Sequence, residues 1–407
     1  MKVCVVGLGY IGLPTALMMA AHDISVVGVD YNKTLVATLQ QGKITYEEVG
    51  LEGLYKKACE KCIKFATEYI STDFYIIAVP TPYDKFSKKI DPSYVIAAIK
   101  NVMKVCPKGA TVVIESTVSP GTIDRFVRPT IEENGFVIGE HIHIAHAPER
   151  IIPGNMVYEL EHNSRVIGAD NEEVGEKVKA IYSSFCKGDI VVTDIRSAEM
   201  SKIVENTYRD INIAYANELA KICRQDNMDV YEIIRIANMH PRVNILQPGP
   251  GVGGHCISVD PWFLVGDYPG LTSLIRHARL INDSMPEFVL KRVYDIMQEN
   301  GIKDVSRVGL YGLTYKENVD DIRESPTLQL LEQVALHLGS PIKVYDPMVS
   351  KDVVSEQYHN FDTFLSDIDI VVIMVGHKEI LENLDKLSGK VVLDTRNICQ
   401  LPGAYKL

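Results

Sequence analysis

The sequence has no apolar run long enough to cross a membrane and no excess of basic residues. Its longest apolar runs, such as IDIVVIMVG at 368–376, fall well short of the roughly 20 residues that span a bilayer. The chain of 407 residues carries a formal net charge of −11, whereas nucleic acids are bound by basic surfaces. We therefore expect no membrane and no nucleic-acid partner, while a local basic pocket for one small anion stays compatible with the acidic total.

The sequence also lacks the repeated Cys-x-x-Cys pairs of a zinc site. Its eight cysteines are scattered, mostly within apolar patterns, which is typical of reduced cysteines in a cytosolic protein. The one such motif, formed by Cys59 and Cys62, lies in a lysine-rich helical pattern, and we interpret it as structural. A strand pattern starts at the N-terminus without the apolar stretch of a signal peptide before it. We predict no metal site and a cytoplasmic location.

Strand and helix patterns alternate in the first and last parts of the chain. A single core does not extend over 407 residues, so we expect two or three domains. Buried strand patterns separated by helical segments indicate a parallel, doubly wound sheet. In the first part they lie at 2–9, 25–30, 74–80, 110–117, 141–148 and 164–170. In the last part they lie at 307–314, 342–347, 368–375 and 390–397.

A long helical pattern separates the two predicted sheets. Residues 196–227 have apolar side chains at helical spacing and contain no proline or glycine. A helix of that length can cross a whole domain, join two lobes and pack against a second subunit. We predict an α/β fold of two Rossmann-like doubly wound domains, at 1–194 and 301–407, joined by a helical connector and dimerisation region at 195–300.

The segment GLGYIG supplies Gly7, Gly9 and Gly12 in a G-x-G-x-x-G pattern between a strand and a helix. Gly7 permits the tight turn, Gly9 lets a pyrophosphate approach the backbone, and Gly12 lets the helix pack closely on the strand. Asp30 ends the second strand, where a carboxylate accepts ribose hydroxyls and repels a 2′-phosphate. The pattern predicts an NAD site in preference to NADP. The alternative is a tight turn with an ordinary surface aspartate.

Two further loops, AVPTP at 78–82 and ESTVSPGT at 115–122, follow strands of the same predicted sheet. Loops at the carboxyl ends of such strands line the ligand crevice. Their hydroxyl side chains are suited to bond a dinucleotide, although serine and threonine also cap helices routinely. The predicted cofactor contacts in these loops and in the glycine turn are Tyr10, Ile11, Pro80, Thr81, Ser116 and Thr117.

The segment GPGVGGHCISVDPWF at 249–263 places Cys256 directly after two glycines and His255. Glycine loses more backbone freedom on folding than any other residue, so such a run needs a reason. A glycine loop can point backbone N–H groups at a ligand, and a thiolate is a nucleophile whose pKa a nearby positive group lowers. His255 and Asp260 are its ionisable neighbours in sequence. We predict a catalytic cysteine; the alternative is a glycine turn with an incidental one.

A nucleophilic cysteine in a chain with a dinucleotide site suggests oxidation through a thiohemiacetal. The thiol adds to an aldehyde, a hydride leaves for NAD, and water cleaves the resulting thioester. That chemistry needs donors for the oxyanion and a group that activates water. Lys202 and Asn206 lie four residues apart, and so on one face, of the predicted long helix. Both are donors suited to an alkoxide, although a solvated helix face is the commoner state of such a pair.

Four segments, in order along the chain, resemble the UDP-glucose/GDP-mannose dehydrogenase family over essentially the whole length. They are GLGYIGLP, AEMSKIVENTYRDINIAYANELA, GPGVGGHCISVDPWF and GLTYKENVDDIRESP. HPRVNILQPGPGVGGHC and PERIIPGN are most similar to members that act on UDP-N-acetyl-D-mannosamine, with UDP-N-acetylglucosamine or UDP-glucose members as the alternative. The resemblance implies a four-electron oxidation of a sugar C6 alcohol with two NAD, a homodimer with a shared sugar site, and a role in surface polysaccharide.

The resemblance also implies roles for individual residues. Cys256 matches the catalytic cysteine, and Lys202 and Asn206 match donors that stabilise the oxyanions. Asp260 matches an aspartate that handles water or protons, and Glu149 matches a glutamate near the reacting sugar.

Charged residues of the last part carry the implied nucleotide contacts. Lys316 matches a lysine that contacts the UDP-sugar, and Arg323 matches an arginine that reaches NAD. Arg242 resembles an arginine that enters the neighbouring subunit's sugar site. UDP-glucose members carry a second glutamate four residues beyond the first, whereas this chain has Pro153 there. The predicted substrate contacts are Glu149, Arg150, Lys202, Asn206, Arg242, Asn244, Gly253 and Lys316.

Two other function classes stay open. A two-electron alcohol dehydrogenase of the same architecture would use Lys202 and Asn206 without a covalent step and would leave Cys256 idle. A non-catalytic module that binds NAD or a sugar nucleotide would need none of these side chains, and their presence together with Glu149 argues against it.

Overall fold

The computed structural model describes residues 2–46, 48–61, 63–337 and 341–407. It contains two compact units, residues 1–205 and 206–407, and the boundary falls within one long helix. Cys62 of the Cys-x-x-Cys motif lies outside the described residues, so the structural interpretation of that motif stays a prediction. The three-part division into domains also stays a prediction.

The first unit contains one eight-stranded sheet. Its strands are β1 (Lys2–Val6), β2 (Ser25–Val29), β3 (Ile63–Ala66), β4 (Phe74–Ile77), β5 (Ala110–Ile114), β6 (Ile142–His146), β7 (Arg165–Ala169) and β8 (Ile190–Thr193). Their order in the sheet is β3-β2-β1-β4-β5-β6-β7-β8. This arrangement confirms the predicted α/β class and puts the strand order reversal, where such sheets bind ligands, between β1 and β4.

The helices of the first unit cover the apolar faces of this sheet. They are α1 (Gly12–Ala21), α2 (Lys33–Gln40), α3 (Leu51–Lys61), α4 (Ser93–Met103), α5 (Arg128–Glu133), α6 (Met156–His162) and α7 (Glu172–Tyr182). Every residue of α1 is buried, and side chains such as Leu13, Leu17 and Met19 belong to the main core. Core packing therefore fixes the glycine turn that joins β1 to α1.

One strand pair departs from the predicted parallel sheet. β6 and β7 run antiparallel, with Ala145 opposite Ala169 and His146 opposite Gly168. The segment 147–164 between them packs α6 against α1 and does not cross back over the sheet. β7 therefore starts at the end of the sheet where β6 finishes.

The second unit, residues 206–407, contains a six-stranded sheet. Its strands are β9 (Val308–Tyr311), β10 (Lys343–Tyr345), β11 (Gln357–Tyr358), β12 (Ile370–Ile373), β13 (Val391–Asp394) and β14 (Tyr405–Lys406). All its strand pairs are parallel, and the order is β11-β10-β9-β12-β13-β14. The same relative order describes the first six strands of the other sheet, as a pair of Rossmann-like folds requires.

The predicted long helix is confirmed as α8 (Ile195–Gln225). The helices that follow it are α9 (Val230–Ala237), α10 (Asp260–Asp267), α11 (Ser273–Asp283), α12 (Met285–Glu299), α13 (Pro326–His337), α14 (Phe361–Ser366) and α15 (Lys378–Glu382). The fold of the last part is built around α12, α13 and the strands β9, β10, β12 and β13, whose apolar side chains form its core.

A chain of buried polar groups joins α8 to α11 within the second unit. Asp210 pairs with the guanidinium of Arg279 and accepts a 2.7 Å hydrogen bond from the Asn282 amide. Asn217 donates to Asn282 over 2.8 Å and accepts the backbone N–H of Gly249 over 2.9 Å. Because buried polar groups need partners, this network fixes the start of the glycine-rich cysteine loop on α8.

Candidate active site

The glycine turn of the first unit has the geometry that each of its three glycines predicts. Gly7 has a φ of +92°, and a Cβ there would lie 2.4 Å from the carbonyl oxygen of Ala78. A Cβ on Gly12 would lie 1.9 Å from the carbonyl oxygen of Gly7, whereas a Cβ on Gly9 would meet nothing within 4 Å. The turn is therefore closed by protein at two glycines and open at Gly9, where a pyrophosphate can approach the backbone.

Asp30 follows β2 and points its carboxylate back to this turn. One oxygen accepts the backbone N–H of Leu8 and the other accepts the backbone N–H of Asn32, each over 2.8 Å. The residue is half-buried, so part of its surface stays open beside the turn. This arrangement fits the adenosine ribose of NAD, with the carboxylate available to its hydroxyls.

The two loops beyond β4 and β5 are tied together by their hydroxyl groups. Thr81 donates to the backbone carbonyl of Thr117 over 2.7 Å, and Ser116 donates to that of Val79 over the same distance. These two hydroxyl protons thus stabilise the loops, and any bond to a cofactor from Thr81 or Ser116 would use the oxygen lone pairs. The roles predicted for Tyr10, Ile11, Pro80, Thr81, Ser116 and Thr117 stay predictions.

Glu199 of α8 is a buried acid that the sequence patterns did not single out. Its two carboxylate oxygens accept the backbone N–H groups of Gly121 and Ile123, at 2.5 Å and 2.9 Å. Burial raises the pKa of this carboxyl group to about 7, although the two N–H donors lower it. Glu199 thereby fixes the turn after β5 onto α8, three residues before the buried Lys202.

Glu149 lies beyond β6 and is buried in the first unit. One oxygen accepts the backbone N–H groups of Arg150 and Ile151, at 2.7 Å and 3.2 Å, and the other faces the Arg165 guanidinium at 2.5 Å. The guanidinium of Arg150 pairs with Glu205 of α8 and so is held within the first unit. The substrate roles predicted for Glu149 and Arg150 stay predictions.

The cysteine loop of the second unit needs its glycines because it packs against another loop. A Cβ on Gly253 would lie 2.6 Å from the carbonyl oxygen of Glu324, and a Cβ on Gly254 would lie 2.8 Å from the ring of Tyr315. Gly254 has a φ of +84°, and its N–H donates to the carbonyl of Arg323 over 2.9 Å. Cys256 itself is exposed. The loop therefore holds an accessible thiol on a rigid base.

Asp260 and Asn206 meet beside this cysteine. The Asn206 amide donates to the Asp260 carboxylate over 2.6 Å, and both residues are buried. Asp260 is the first residue of α10, and its N–H donates to the carbonyl of Cys256 over 2.8 Å. The structure thus brings three of the predicted catalytic residues together within the second unit.

The predicted nucleotide contacts of the second unit lie on exposed or partly exposed loops. Arg323 forks onto the buried carboxylate of Asp321, with its Nε atom 2.9 Å from one oxygen. Lys316 is partly exposed, and its carbonyl accepts from the Thr314 hydroxyl over 2.9 Å. The side chain of Arg242 lies on an exposed loop. The backbone carbonyl of Asn244 accepts from the Asn212 amide over 2.9 Å.

Comparison with known proteins agrees with this fold. Three domain models of the UDP-glucose/GDP-mannose dehydrogenase family match, namely the NAD binding domain at 1–186, the central domain at 196–284 and the UDP binding domain at 309–401. Fold and domain content define an NAD-dependent dehydrogenase that acts on nucleotide sugars. The chain belongs to the UDP-glucose/GDP-mannose dehydrogenase family, as the sequence resemblance predicts, and NAD is its cofactor.

Individual relatives are similar over nearly the full chain. The UDP-N-acetyl-D-mannosamine dehydrogenase of Methanococcus maripaludis is 42% identical over 98% of this chain and 93% of its own. The NDP-N-acetyl-D-galactosaminuronic acid dehydrogenase of Ralstonia nicotianae is 40% identical over 97% of this chain and 96% of its own. The solved structure of the UDP-N-acetyl-mannosamine dehydrogenase of Staphylococcus aureus has a TM-score of 0.89 and 41% identity, covering 100% of this chain and 98% of that one.

Two features are absent from the described part of the chain. Among the described residues, no helix has both the length and the apolar character of a membrane span. In the same part of the chain, no group of three or more His, Cys, Asp or Glu side chains is placed to hold a metal ion.

Proposed function

We propose that this chain oxidises the C6 alcohol of UDP-N-acetyl-D-mannosamine to a carboxylate and uses two NAD per sugar. The observation that carries the proposal is the exposed Cys256 next to the buried Asn206–Asp260 hydrogen bond. Relatives of 42% and 41% identity that bear the name of this activity support the substrate.

NAD would be held at the glycine turn beside Gly9 and Asp30, and it would supply the hydride-accepting chemistry for both oxidations. The C6 hydroxyl first loses its proton, with the Lys202 amine and a water as candidate acceptors. The Cys256 thiolate then adds to the aldehyde carbon, and Lys202 and Asn206 stabilise the resulting alkoxide. The thiohemiacetal is oxidised to a thioester, and water breaks the C–S bond to release the carboxylate and the free thiol.

Water activation in the last step falls to a carboxylate. Pro153 occupies the position of the second glutamate of UDP-glucose members, so that group has no counterpart here. Glu149 and Asp260 stay the candidate bases. Asp260 is supported as the base because it lies one helical turn after Cys256, and its backbone N–H donates to the carbonyl of that cysteine.

We propose that the enzyme works as a homodimer with a shared sugar site to which Arg242 contributes. Tyr208, Tyr215 and Ile222 lie seven residues apart on α8 and expose 62%, 51% and 52% of their surface. Residues at this spacing share one helix face, and a row of exposed apolar side chains favours contact with a second subunit. Lys316 is proposed to bind the diphosphate of the UDP-sugar, and Arg323 is proposed to bind NAD. The other predicted substrate and cofactor contacts are proposed in the roles that the sequence predicts for them.

An N-acetylgalactosamine nucleotide is the second candidate substrate. The observation that favours it is the 40% identity to the NDP-N-acetyl-D-galactosaminuronic acid dehydrogenase, close to that of the mannosamine relatives.

A panel of UDP- and GDP-sugars tests the proposal. NADH formation is followed by absorbance, and the molecular mass of the product is determined by mass spectrometry. We expect the highest kcat/KM with UDP-N-acetylmannosamine and a product that has gained one oxygen and lost two hydrogens. Faster oxidation of another sugar, with no turnover of this one, would contradict the substrate assignment.

Replacing the cysteine tests the covalent step. Cys256→Ala removes the nucleophile, so uronate formation should fall by on the order of 10³-fold or more. Cys59→Ala is the matched control, because Cys59 is also an exposed cysteine. A fully active Cys256→Ala enzyme would remove the thiol from the mechanism and leave the two-electron alternative.

A further inference from the structure

A cluster of buried charged side chains lies behind Glu149 in the first unit. Arg165 of β7 contacts Glu149 at 2.5 Å and lies 4.0 Å from Glu115, the residue that follows β5. The hydroxyl of Tyr182 donates to Glu115 over 3.0 Å. All four residues are buried, with 5% exposure or less.

Arg165 is held in place by aromatic rings as well as by carboxylates. Its guanidinium carbon lies 4.7 Å from the centre of the Tyr182 ring and 5.4 Å from that of Phe185. A planar guanidinium suits this position because it can stack on rings while its N–H groups fork toward carboxylates, which a lysine ammonium cannot do. Arg165, which these rings hold in place, therefore fixes the orientation of the Glu149 carboxylate.

The cluster has two carboxyl groups and one guanidinium, so one carboxyl group lacks a full counter-charge. Burial raises the pKa of Glu115 to about 8, the negative charge of Glu149 adds to this, and Arg165, Tyr182 and Thr15 oppose it. Glu115 is therefore neutral at pH 7, and the Arg165 guanidinium forms its ion pair with Glu149. Burial opposes the charge on Arg165, but the Glu149 carboxylate, together with Tyr182 and Glu115, outweighs it and raises the pKa of the guanidinium.

We propose that Arg165 is a positioning residue that fixes the Glu149 carboxylate at 2.5 Å, and that Glu115, 4.0 Å from the same guanidinium, controls how firmly Arg165 holds Glu149. The proposal rests on the proposed function, in which Glu149 acts on the sugar. When Glu115 ionises, two carboxylates share one guanidinium, and the hold on Glu149 weakens. Sugar oxidation should therefore decline as pH rises through about 8.

The Arg165→Lys variant tests the positioning role. It keeps the charge but loses the fork and the stacking, so kcat should fall on the order of 10- to 100-fold while KM for NAD stays unchanged. Arg292→Lys is the matched control: Arg292 is equally buried, lies 4.9 Å from the Tyr405 ring and pairs with Glu299 at 3.2 Å. Equal kcat for Arg165→Lys and wild type, or equal losses in both lysine variants, would overturn the proposal.

The Glu115→Gln variant tests the charge argument. Glutamine imitates the neutral acid and cannot ionise, so the decline of kcat near pH 8 should move to higher pH. An unchanged pH profile would overturn the role of Glu115. Infrared spectroscopy gives a readout without turnover: the difference spectrum between wild type and Glu115→Gln at pH 7 should contain a carboxylic acid band, because the signal of Glu199, whose pKa is also raised, cancels. Failure of the proposed function appears instead as an absence of sugar oxidation with this difference band still present, and absence of the difference band overturns the inference.

Discussion

The two sheets share a strand order but use their central turns differently. Gly7 and Gly312 occupy the same place after the first strand of each sheet, with φ values of +92° and +103°. Asp30 and Asp346 follow the second strands, and each accepts the backbone N–H that follows the turn glycine, at 2.8 Å and 2.5 Å. The framework of the turn is therefore the same in both units.

What differs is the space beside the aspartate. Asp30 is half-buried and adjoins the open side of Gly9, whereas Asp346 is buried and faces the imidazole of His377 at 3.2 Å. The other ring nitrogen of His377 accepts the backbone N–H of Asn318 over 3.0 Å, so the imidazole is locked in position. One turn is left open for a dinucleotide, and the other is filled with protein and supports the loop that carries Cys256.

The largest expected effect is a difference in stability between substitutions at Gly12, which is surrounded by protein, and at Gly9, which faces open space. Gly12→Val forces side-chain atoms into the Gly7 carbonyl and should lower the free energy of unfolding by about 3 kcal/mol. Gly9→Val points into open space and should change stability by less than about 0.5 kcal/mol, while raising KM for NAD about tenfold. Urea unfolding measures the free energy of unfolding of each variant, and initial rates at varied NAD concentration measure KM for NAD. A stable Gly12→Val protein would contradict the packing role.

The cysteine loop should be nearly as sensitive. Gly254→Ala introduces a Cβ at positive φ against Tyr315, which costs roughly 1–2 kcal/mol of backbone strain and moves the loop. Turnover should fall about tenfold, as expected for 1.4 kcal/mol. Gly270→Ala is the matched control because its Cβ would meet nothing within 4 Å. Equal turnover in the two variants would show that the support of the loop by Tyr315 is unimportant.

Replacement of each of the two aspartates by asparagine should give a different phenotype. Asp30→Asn removes the charge that repels a 2′-phosphate, so the preference for NAD over NADP should fall about tenfold, or 1.4 kcal/mol. Asp346→Asn leaves His377 and two backbone N–H groups poorly paired and should cost about 1–3 kcal/mol of stability. Cofactor kinetics and thermal unfolding distinguish them. A change of cofactor preference in Asp346→Asn would break the comparison.

The last comparison between the units is a difference in pH response. Glu115 has a raised pKa in the folded state, so its contribution to stability falls as pH rises from about 4.5 through about 8. Burial opposes ionisation of Asp346, but His377 and backbone N–H groups lower its pKa overall, so its contribution is lost only as pH falls below the ordinary value of 3.8. The stability advantage of Glu115→Gln over wild type should therefore grow up to about pH 8. An advantage independent of pH would contradict this assignment.

The parts predicted from sequence are those encoded by neighbouring residues. Gly7, Gly9 and Gly12 act within one turn, and the long helix α8 shows in a continuous apolar pattern. The cluster of Glu115, Arg165 and Tyr182 could not be predicted, because its members come from different elements that only the folded sheet brings together.

The strands missed by the sequence prediction have a common cause. β3, β8, β11 and β14 are edge strands of two to four residues with partly exposed side chains, and all except β8 (IVVT) include a lysine or glutamine. The antiparallel pairing of β6 with β7 depends on where α6 packs, and the strand pattern alone does not contain that information.

The stoichiometry of NADH produced per sugar consumed tests the central claim most directly. Oxidation of the C6 alcohol and then of the aldehyde captured by Cys256 together produce two NADH for each sugar molecule converted to a carboxylate. We expect that ratio with limiting sugar and excess NAD. A ratio of one, with an aldehyde or ketone as the product, would contradict the account.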